Sequence, residues 1–118
     1  MKIAVSSTGP TMESTVEARF GRCPYFLIIN PVTMEFEAVS NTKTDQSGGA
    51  GIQAAQLLAG KKASAVLTGR CGPNALKALE KESIRVVTGV AGSVMQVVQQ
   101  FADGSIKTVP VTHTTGRF

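Results

Sequence analysis

The stretch AVLTGRCGPNALKAL, residues 65–79, predicts a strand, a tight loop and a helix within a short span. It opens with a short apolar run, which is typical of a buried strand. Pro73 then marks the first turn of a helix, where proline is favoured, and Leu76 and Leu79 recur on one helical face. The glycine-containing loop between strand and helix indicates a β–α unit.

The same alternation extends outward from this unit in both directions. Continuous apolar runs predict buried strands at residues 2–6 and 25–29, and a period of two at 34–39 predicts a half-exposed strand paired with its predecessor in a hairpin. The remaining predicted elements are a helix at 52–59 that stops at Gly60, a helix at 73–82, a strand at 85–87 and a helix at 93–101.

The element order βββαβαβα predicts an α/β domain with a five-stranded mixed sheet. Right-handed crossovers constrain how strands 3, 4 and 5 can be placed. With strand 1 central, between the hairpin and strand 4, the strand order is 3-2-1-4-5, with strand 2 antiparallel to the others and helices on both faces. We expect one domain over residues 1–104 and a C-terminal tail over 105–118 that is partly mobile.

Composition narrows the class of protein. The chain has 118 residues, of which 42% are hydrophobic and 17% charged, as in globular domains. No apolar run approaches the roughly 18 residues that span a bilayer, and the N-terminus reads as a strand instead of a signal peptide. Two cysteines in such a chain indicate reduced thiols, so we expect a cytoplasmic protein with no membrane partner.

The net charge of +4 favours anionic partners but not nucleic acid. The basic residues are scattered, and one tyrosine with no tryptophan offers little surface for base stacking. Nucleic-acid binding is therefore not expected.

Four loops should meet at the carboxyl edge of the sheet, where open α/β sheets bind their ligands. Glycines precede each predicted helix there, namely Gly48, Gly49 and Gly51, then Gly69 and Gly72, then Gly89 and Gly92. Glycines let the backbone approach a ligand closely, and helix N-termini attract anions, so three such termini predict an anion cradle. The alternative is that these glycines serve tight turns, and no nucleotide-binding fingerprint is present.

Two cysteines and two arginines fall in the same loops. Cys23 and Cys71 are candidate metal ligands, and the helix that follows Cys71 should favour its thiolate. The alternative is that both are small buried hydrophobic residues, because no Cys-x-x-Cys pair is present. Arg19 and Arg22 could neutralise an anion, or they could belong to a solvated loop anchored by Phe20.

Catalytic groups are sparse at this edge. Only Glu13, Glu17 and Asp45 supply carboxylates in the predicted site loops, and the single histidine, His113, lies in the tail. No Ser/His/Asp or Cys/His set can be assembled there, so the sequence does not predict an enzyme.

Three motifs in fixed order resemble the dinitrogenase iron–molybdenum cofactor biosynthesis family, which contains the NifX-type carriers. They are RFGRCPYF at residues 19–26, GGAGI at 48–52 and GPNA at 72–75. The resemblance runs from residue 1 to about 104. It implies a ribonuclease-H-like three-layer fold and the non-catalytic binding of an iron–sulfur or molybdenum–iron(–copper)–sulfur cluster.

The resemblance also implies a site. Together with the loop placement, it leads us to predict a set of cofactor-binding residues, namely Arg19, Phe20, Gly21, Arg22, Gly48, Gly49, Gly51, Gly72 and Asn74, with Cys23 and Cys71 as candidate metal ligands. The nitrogenase branch of the family carries a histidine where this chain has Arg19, so nitrogenase itself is not implied as the recipient.

The sequence thus predicts a carrier of an anionic metal cluster, with cluster donor or acceptor proteins as partners. Two alternatives stay open. One is a metal-free regulatory or protein-interaction module that uses the same sheet edge, and the other is a small-molecule enzyme that uses Glu13, Glu17 or Asp45.

Overall fold

The computed structural model describes residues 1–41 and 50–106, and a fully buried strand lies at the centre of its sheet. The strands are β1 (Ile3–Ser7), β2 (Tyr25–Ile29), β3 (Phe36–Ser40), β4 (Ala65–Leu67) and β5 (Arg85–Val87). The helices are α1 (Ala50–Gly60), α2 (Pro73–Lys81) and α3 (Val94–Ala102), and a single 3-10 turn covers Phe20–Arg22.

The sheet has the predicted order, β3-β2-β1-β4-β5. β2 runs antiparallel to both of its neighbours, whereas β1, β4 and β5 are mutually parallel. In register, Val5 of β1 stands between Leu27 of β2 and Leu67 of β4. The loops that follow the parallel strands therefore leave the same edge of the sheet.

Helices cover both faces, so the three-layer prediction is confirmed. α1 and α2 pack on one face through a cluster that includes Leu58, Leu79 and the tilted pair Phe20 and Phe26, whose ring centroids lie 5.3 Å apart. α3 packs on the other face through the cluster that contains Val94, Val97 and Val98. In the described part of the chain, no helix is both long and apolar enough to cross a membrane.

The hairpin differs from its prediction at the start of β3. The strand begins at Phe36 instead of residue 34, because Met34 takes a left-handed backbone conformation with φ of 66°. The N–H of Met34 donates to the carbonyl of Asn30 at 2.7 Å, which closes the turn. β3 is an edge strand that is mostly exposed, and Phe36 keeps 44% of its surface accessible.

α1 ends at Gly60 as predicted, but Gly60 is not the residue that reverses the chain. Lys62 takes the left-handed conformation, with φ of 62°. The N–H of Ala63 then donates to the carbonyl of Leu58 at 3.1 Å, a bond typical of the Schellman motif.

The predicted tail lies almost entirely outside the described residues. At its start, the N–H of Ile106 donates to the carbonyl of Gln100 at 3.1 Å. Ile106 also packs against the core beneath α3, so the ordered packing reaches at least two residues past 104.

Candidate functional site

A cavity of about 440 Å³ opens at the carboxyl edge of the sheet, between the 3-10 turn and the N-termini of α1 and α2. Its lining combines three arginines, a thiol, glycine backbone and a few apolar groups. The lining residues are Arg19, Phe20, Gly21, Arg22, Gly51, Ile52, Arg70, Cys71, Gly72, Pro73, Asn74 and Ala75.

Most of the candidate site residues meet in this cavity. Those that line it are Arg19, Phe20, Gly21, Arg22, Gly51, Cys71, Gly72 and Asn74. Gly48 and Gly49 lie outside the described residues. Cys23 does not line the cavity, and Phe20 contributes there although 99% of its surface is buried in the adjoining core.

Arg19 and Arg70 are set side by side by a short backbone pairing. The two residues form a parallel bridge, in which Arg70 N–H donates to the carbonyl of Ala18 at 2.7 Å and Phe20 N–H donates to the carbonyl of Arg70 at 3.1 Å. This pairing needs close approach of the two loops, and Gly69 permits it: a Cβ there would lie 2.7 Å from the backbone of Ala18.

Sequence reasoning missed Arg70 as a site residue. A signal was available, because Arg70 stands between the strand 65–67 and Cys71 in a loop already assigned to the ligand-binding edge. What the sequence does not display is the bridge to Arg19, which joins residues 51 positions apart and brings both arginines to one cavity lining.

Two helix N-termini face the cavity, and the third does not. At α2, Gly72 occupies the N-cap with no side-chain cap, which leaves first-turn N–H groups directed to the opening. α1 approaches so closely that a Cβ on Gly51 would lie 2.7 Å from Cβ of Ala75. Gly51 and Ile52 line the cavity together with the first turn of α2, so the positive ends of two helix dipoles lie beside the same volume.

The first turn of α3 is already satisfied within the protein. Val94 N–H donates to the carbonyl of Ser14 at 2.9 Å and Met95 N–H to the carbonyl of Met12 at 2.9 Å, while Ser93 Oγ accepts from Gln96 N–H at 3.1 Å. The predicted cradle of three helix N-termini is therefore wrong in its third member, because the loop before the 3-10 turn occupies it.

Cys23 lies in the core beneath the 3-10 turn. It is fully buried, and its Sγ donates to the carbonyl of Phe20 at 3.3 Å. Asn41, also buried, donates from Nδ2 to the carbonyl of Cys23 at 2.9 Å. These hydrogen bonds stabilise the 3-10 turn beside Arg19 and Arg22. Cys23 therefore supports this turn and does not face the cavity.

Burial raises the pKa of the Cys23 thiol to about 12, and the charge of Glu17 adds to the rise, while hydrogen bonds from the Ser7 backbone and Asn41 act in the opposite direction. Burial also raises the pKa of Cys71 to about 11. The expectation that α2 would favour a Cys71 thiolate is wrong here, because desolvation is the dominant influence on this half-buried group.

The raised Cys23 pKa makes stability depend on alkaline pH. A thiol with a pKa near 9 when unfolded and about 12 when folded contributes stability that is fully present below pH 9 and is lost as the pH rises toward 12. Serine does not titrate in this window. We expect urea-unfolding free energies of the native chain to fall more steeply above pH 9 than those of Cys23→Ser, by up to about 1.4 kcal/mol per pH unit. If the unfolding free energies of the two proteins fell in parallel above pH 9, the burial described for the Cys23 thiol would be contradicted.

The cavity carries more positive than negative charge. Arg22 and Arg70 are exposed at its rim, and within the described residues Glu17 is the one carboxylate that pairs with a cavity arginine, with Oε2 3.6 Å from Nε of Arg19. Among those residues, no three His, Cys, Asp or Glu side chains cluster closely enough to hold a metal ion. The described lining can therefore bind an anion next to a single thiol, that of Cys71.

The family model for the dinitrogenase iron–molybdenum cofactor family matches residues 1–104. Among solved structures, the chain is similar to the apo form of the orange protein from Desulfovibrio gigas, with 41% identity, 92% of each chain covered and a TM-score of 0.87. It is also similar to a candidate NifB protein from Thermotoga assigned to the DUF35 family, with 27% identity, 99% of this chain and 98% of that chain covered and a TM-score of 0.78.

A Methanocaldococcus jannaschii protein, 17% identical over 92% of this chain and 94% of its own with a TM-score of 0.67, shares the fold. No curated protein sequence matches the chain.

Proposed function

The chain belongs to the dinitrogenase iron–molybdenum cofactor family, and we propose that it binds and carries an anionic metal–sulfur cluster in the cavity between α1 and α2. The cluster is cargo, taken from a donor protein and passed to an acceptor protein in the cytoplasm. Iron–sulfur and molybdenum–iron(–copper)–sulfur clusters both belong to the proposed class.

The observation that carries the proposal is the convergence of three arginines and two helix N-termini on one opening of about 440 Å³. Sulfide-rich clusters are anionic and accept hydrogen bonds at sulfur. Guanidinium groups and helix N–H groups supply both charge and donors, and such charge-assisted bonds are about twice as strong as neutral ones. A cationic ligand would be repelled by this arrangement, and a neutral one would gain hydrogen bonds without the charge attraction.

The arginines, the thiol and the first turn of α2 each have a definite part in the proposal. Arg19, Arg22 and Arg70 surround the cluster and donate hydrogen bonds to its sulfides, and the first turn of α2 donates backbone N–H groups. Cys71 supplies the one thiol of the lining, which would coordinate metal after losing its proton. Cys23, the other predicted ligand, could reach the cluster only if the 3-10 turn opened, so we assign it to the support of that turn.

The residues of the cavity favour the binding and transport of a cluster over the catalysis of a reaction. Among the described residues, its lining contains no carboxylate and no histidine, and no general base of that lining stands beside the thiol of Cys71. Glu13 is exposed, Glu17 pairs with Arg19, and Asp45 lies outside the described residues. The placements of Glu13 and Glu17 give no support to the small-molecule enzyme considered from the sequence.

Anaerobic purification with metal and sulfide analysis, followed by reconstitution with iron, molybdate and sulfide, tests the proposal. We expect a coloured protein with a fixed ratio of metal to chain. Cys71→Ser should change the visible spectrum of the loaded protein if the thiol coordinates metal, whereas Cys23→Ser should leave it unchanged. A protein that stays colourless throughout would contradict the carrier and favour the metal-free interaction module.

A further inference from the structure

Glu17 is placed to act as an internal counter-ion at the mouth of the cavity. A single oxygen, Oε2, accepts the backbone N–H of Arg19 at 3.2 Å and lies 3.6 Å from its Nε. Only 19% of the Glu17 side chain is exposed, against 56% for Arg19. The carboxylate is therefore the fixed partner of this pair, and the guanidinium is the movable one.

The backbone of Glu17 is held firmly by the central strand. Its N–H donates to the carbonyl of Ser6 at 2.9 Å, and its own carbonyl accepts from Ser6 Oγ at 2.8 Å. Ser6 Oγ also lies 2.7 Å from Oγ1 of Thr68, and both hydroxyl residues are fully buried. The backbone from which the Glu17 carboxylate extends is therefore fixed, and the carboxylate itself is held by the N–H of Arg19.

We propose that Glu17 is a positioning residue that competes with the bound anion for Arg19 and so weakens binding enough for the cargo to be released. This inference rests on the proposed function. In the empty site Arg19 is turned toward Glu17, and ligand binding must draw the guanidinium across to the cavity. The carboxylate also repels the anion directly, because the charges share a partly buried environment in which screening is reduced.

The test compares two isosteric charge removals in one loop. Glu17→Gln removes the half-buried counter-ion, while Glu13→Gln removes an exposed carboxylate of the same loop that is not the ion-pair partner of Arg19. The probe is tetrathiomolybdate, a sulfide-rich dianion whose absorbance reports binding. We expect Glu17→Gln to bind it about three- to tenfold more tightly and to release it more slowly, with Glu13→Gln close to the native chain.

Repeating the comparison in an Arg19→Gln background separates a positioning role from general charge. There Glu17→Gln should gain clearly less affinity than in the native background, because the competition it relieves is absent. Equal affinity of Glu17→Gln and Glu13→Gln would overturn the inference, as would an equal gain with and without Arg19. Failure of the native chain to bind the probe at all would instead count against the proposed function itself.

Discussion

Replacing Gly69 by alanine should lower the free energy of unfolding by about 2–3 kcal/mol and disrupt the cavity in the same step. The added Cβ would lie 2.7 Å from both Cα and the carbonyl oxygen of Ala18. Both are backbone atoms, so no side chain can rotate away to relieve the clash. The loops that carry Arg19 and Arg70 must separate instead, and the hydrogen bond from Arg70 N–H to Ala18 would be strained or lost.

Gly60→Ala is the matched control for this substitution. Gly60 is the last residue of α1, its φ is not positive, and a Cβ there meets no atom within 4 Å. Alanine is the better helix former, so this variant should gain roughly 0.5–1 kcal/mol. Chemical denaturation of both variants measures the contrast. A Gly69→Ala protein as stable as the native chain would show that the two loops do not approach as closely as described.

Removing two arginines from the cavity should produce the largest loss of binding. We expect Arg19→Gln with Arg70→Gln to weaken tetrathiomolybdate binding at least about 100-fold, because hydrogen bonds to charged groups contribute roughly 1.5–3 kcal/mol each. Both side chains are exposed in the empty protein, so the fold should tolerate the change. Isothermal titration at low salt measures the loss, and added salt should narrow the difference.

The control for the arginine pair removes the same charge elsewhere. Lys77→Gln with Lys81→Gln takes the net charge from +4 to +2, as the arginine pair does, but alters the exposed face and last turn of α2, away from the lining residues. This variant should bind within about threefold of the native chain, since exposed and distant charges are screened. Equal losses in the two double variants would mean that overall charge, and not the cavity, governs binding.

The sheet and its helices could be predicted because their signals are local and periodic. The apolar runs at 2–6 and 25–29 and the helical spacing of Val94, Val97 and Val98 each reflect burial against one face. The strand order followed from the handedness of crossovers once strand 1 was placed between the hairpin and strand 4. The error at β3 arose because the left-handed conformation of Met34 is set by the hairpin turn and leaves no mark on the alternation of residues 34–39.

The site was predicted in its location but not in its details, because the details depend on contacts between distant segments. That Arg70 joins Arg19 depends on a bridge between loops, and that α3 is capped depends on carbonyls supplied by Met12 and Ser14. Residue type alone paired Cys23 with Cys71, whereas the structure buries one beneath a turn and places the other in the lining. Only the three-dimensional packing separates the two thiols.

Crystals of the protein loaded with tetrathiomolybdate or a reconstituted molybdenum cluster offer the most direct test of where the cargo binds. Anomalous scattering at the molybdenum edge locates the metal without any assumption about its ligands. We expect one strong peak in the cavity. The sulfides bound to that molybdenum should lie within hydrogen-bonding distance of Arg19, Arg70 and the first turn of α2. A fully occupied peak elsewhere on the molecule, with this cavity holding only solvent, would contradict the proposal.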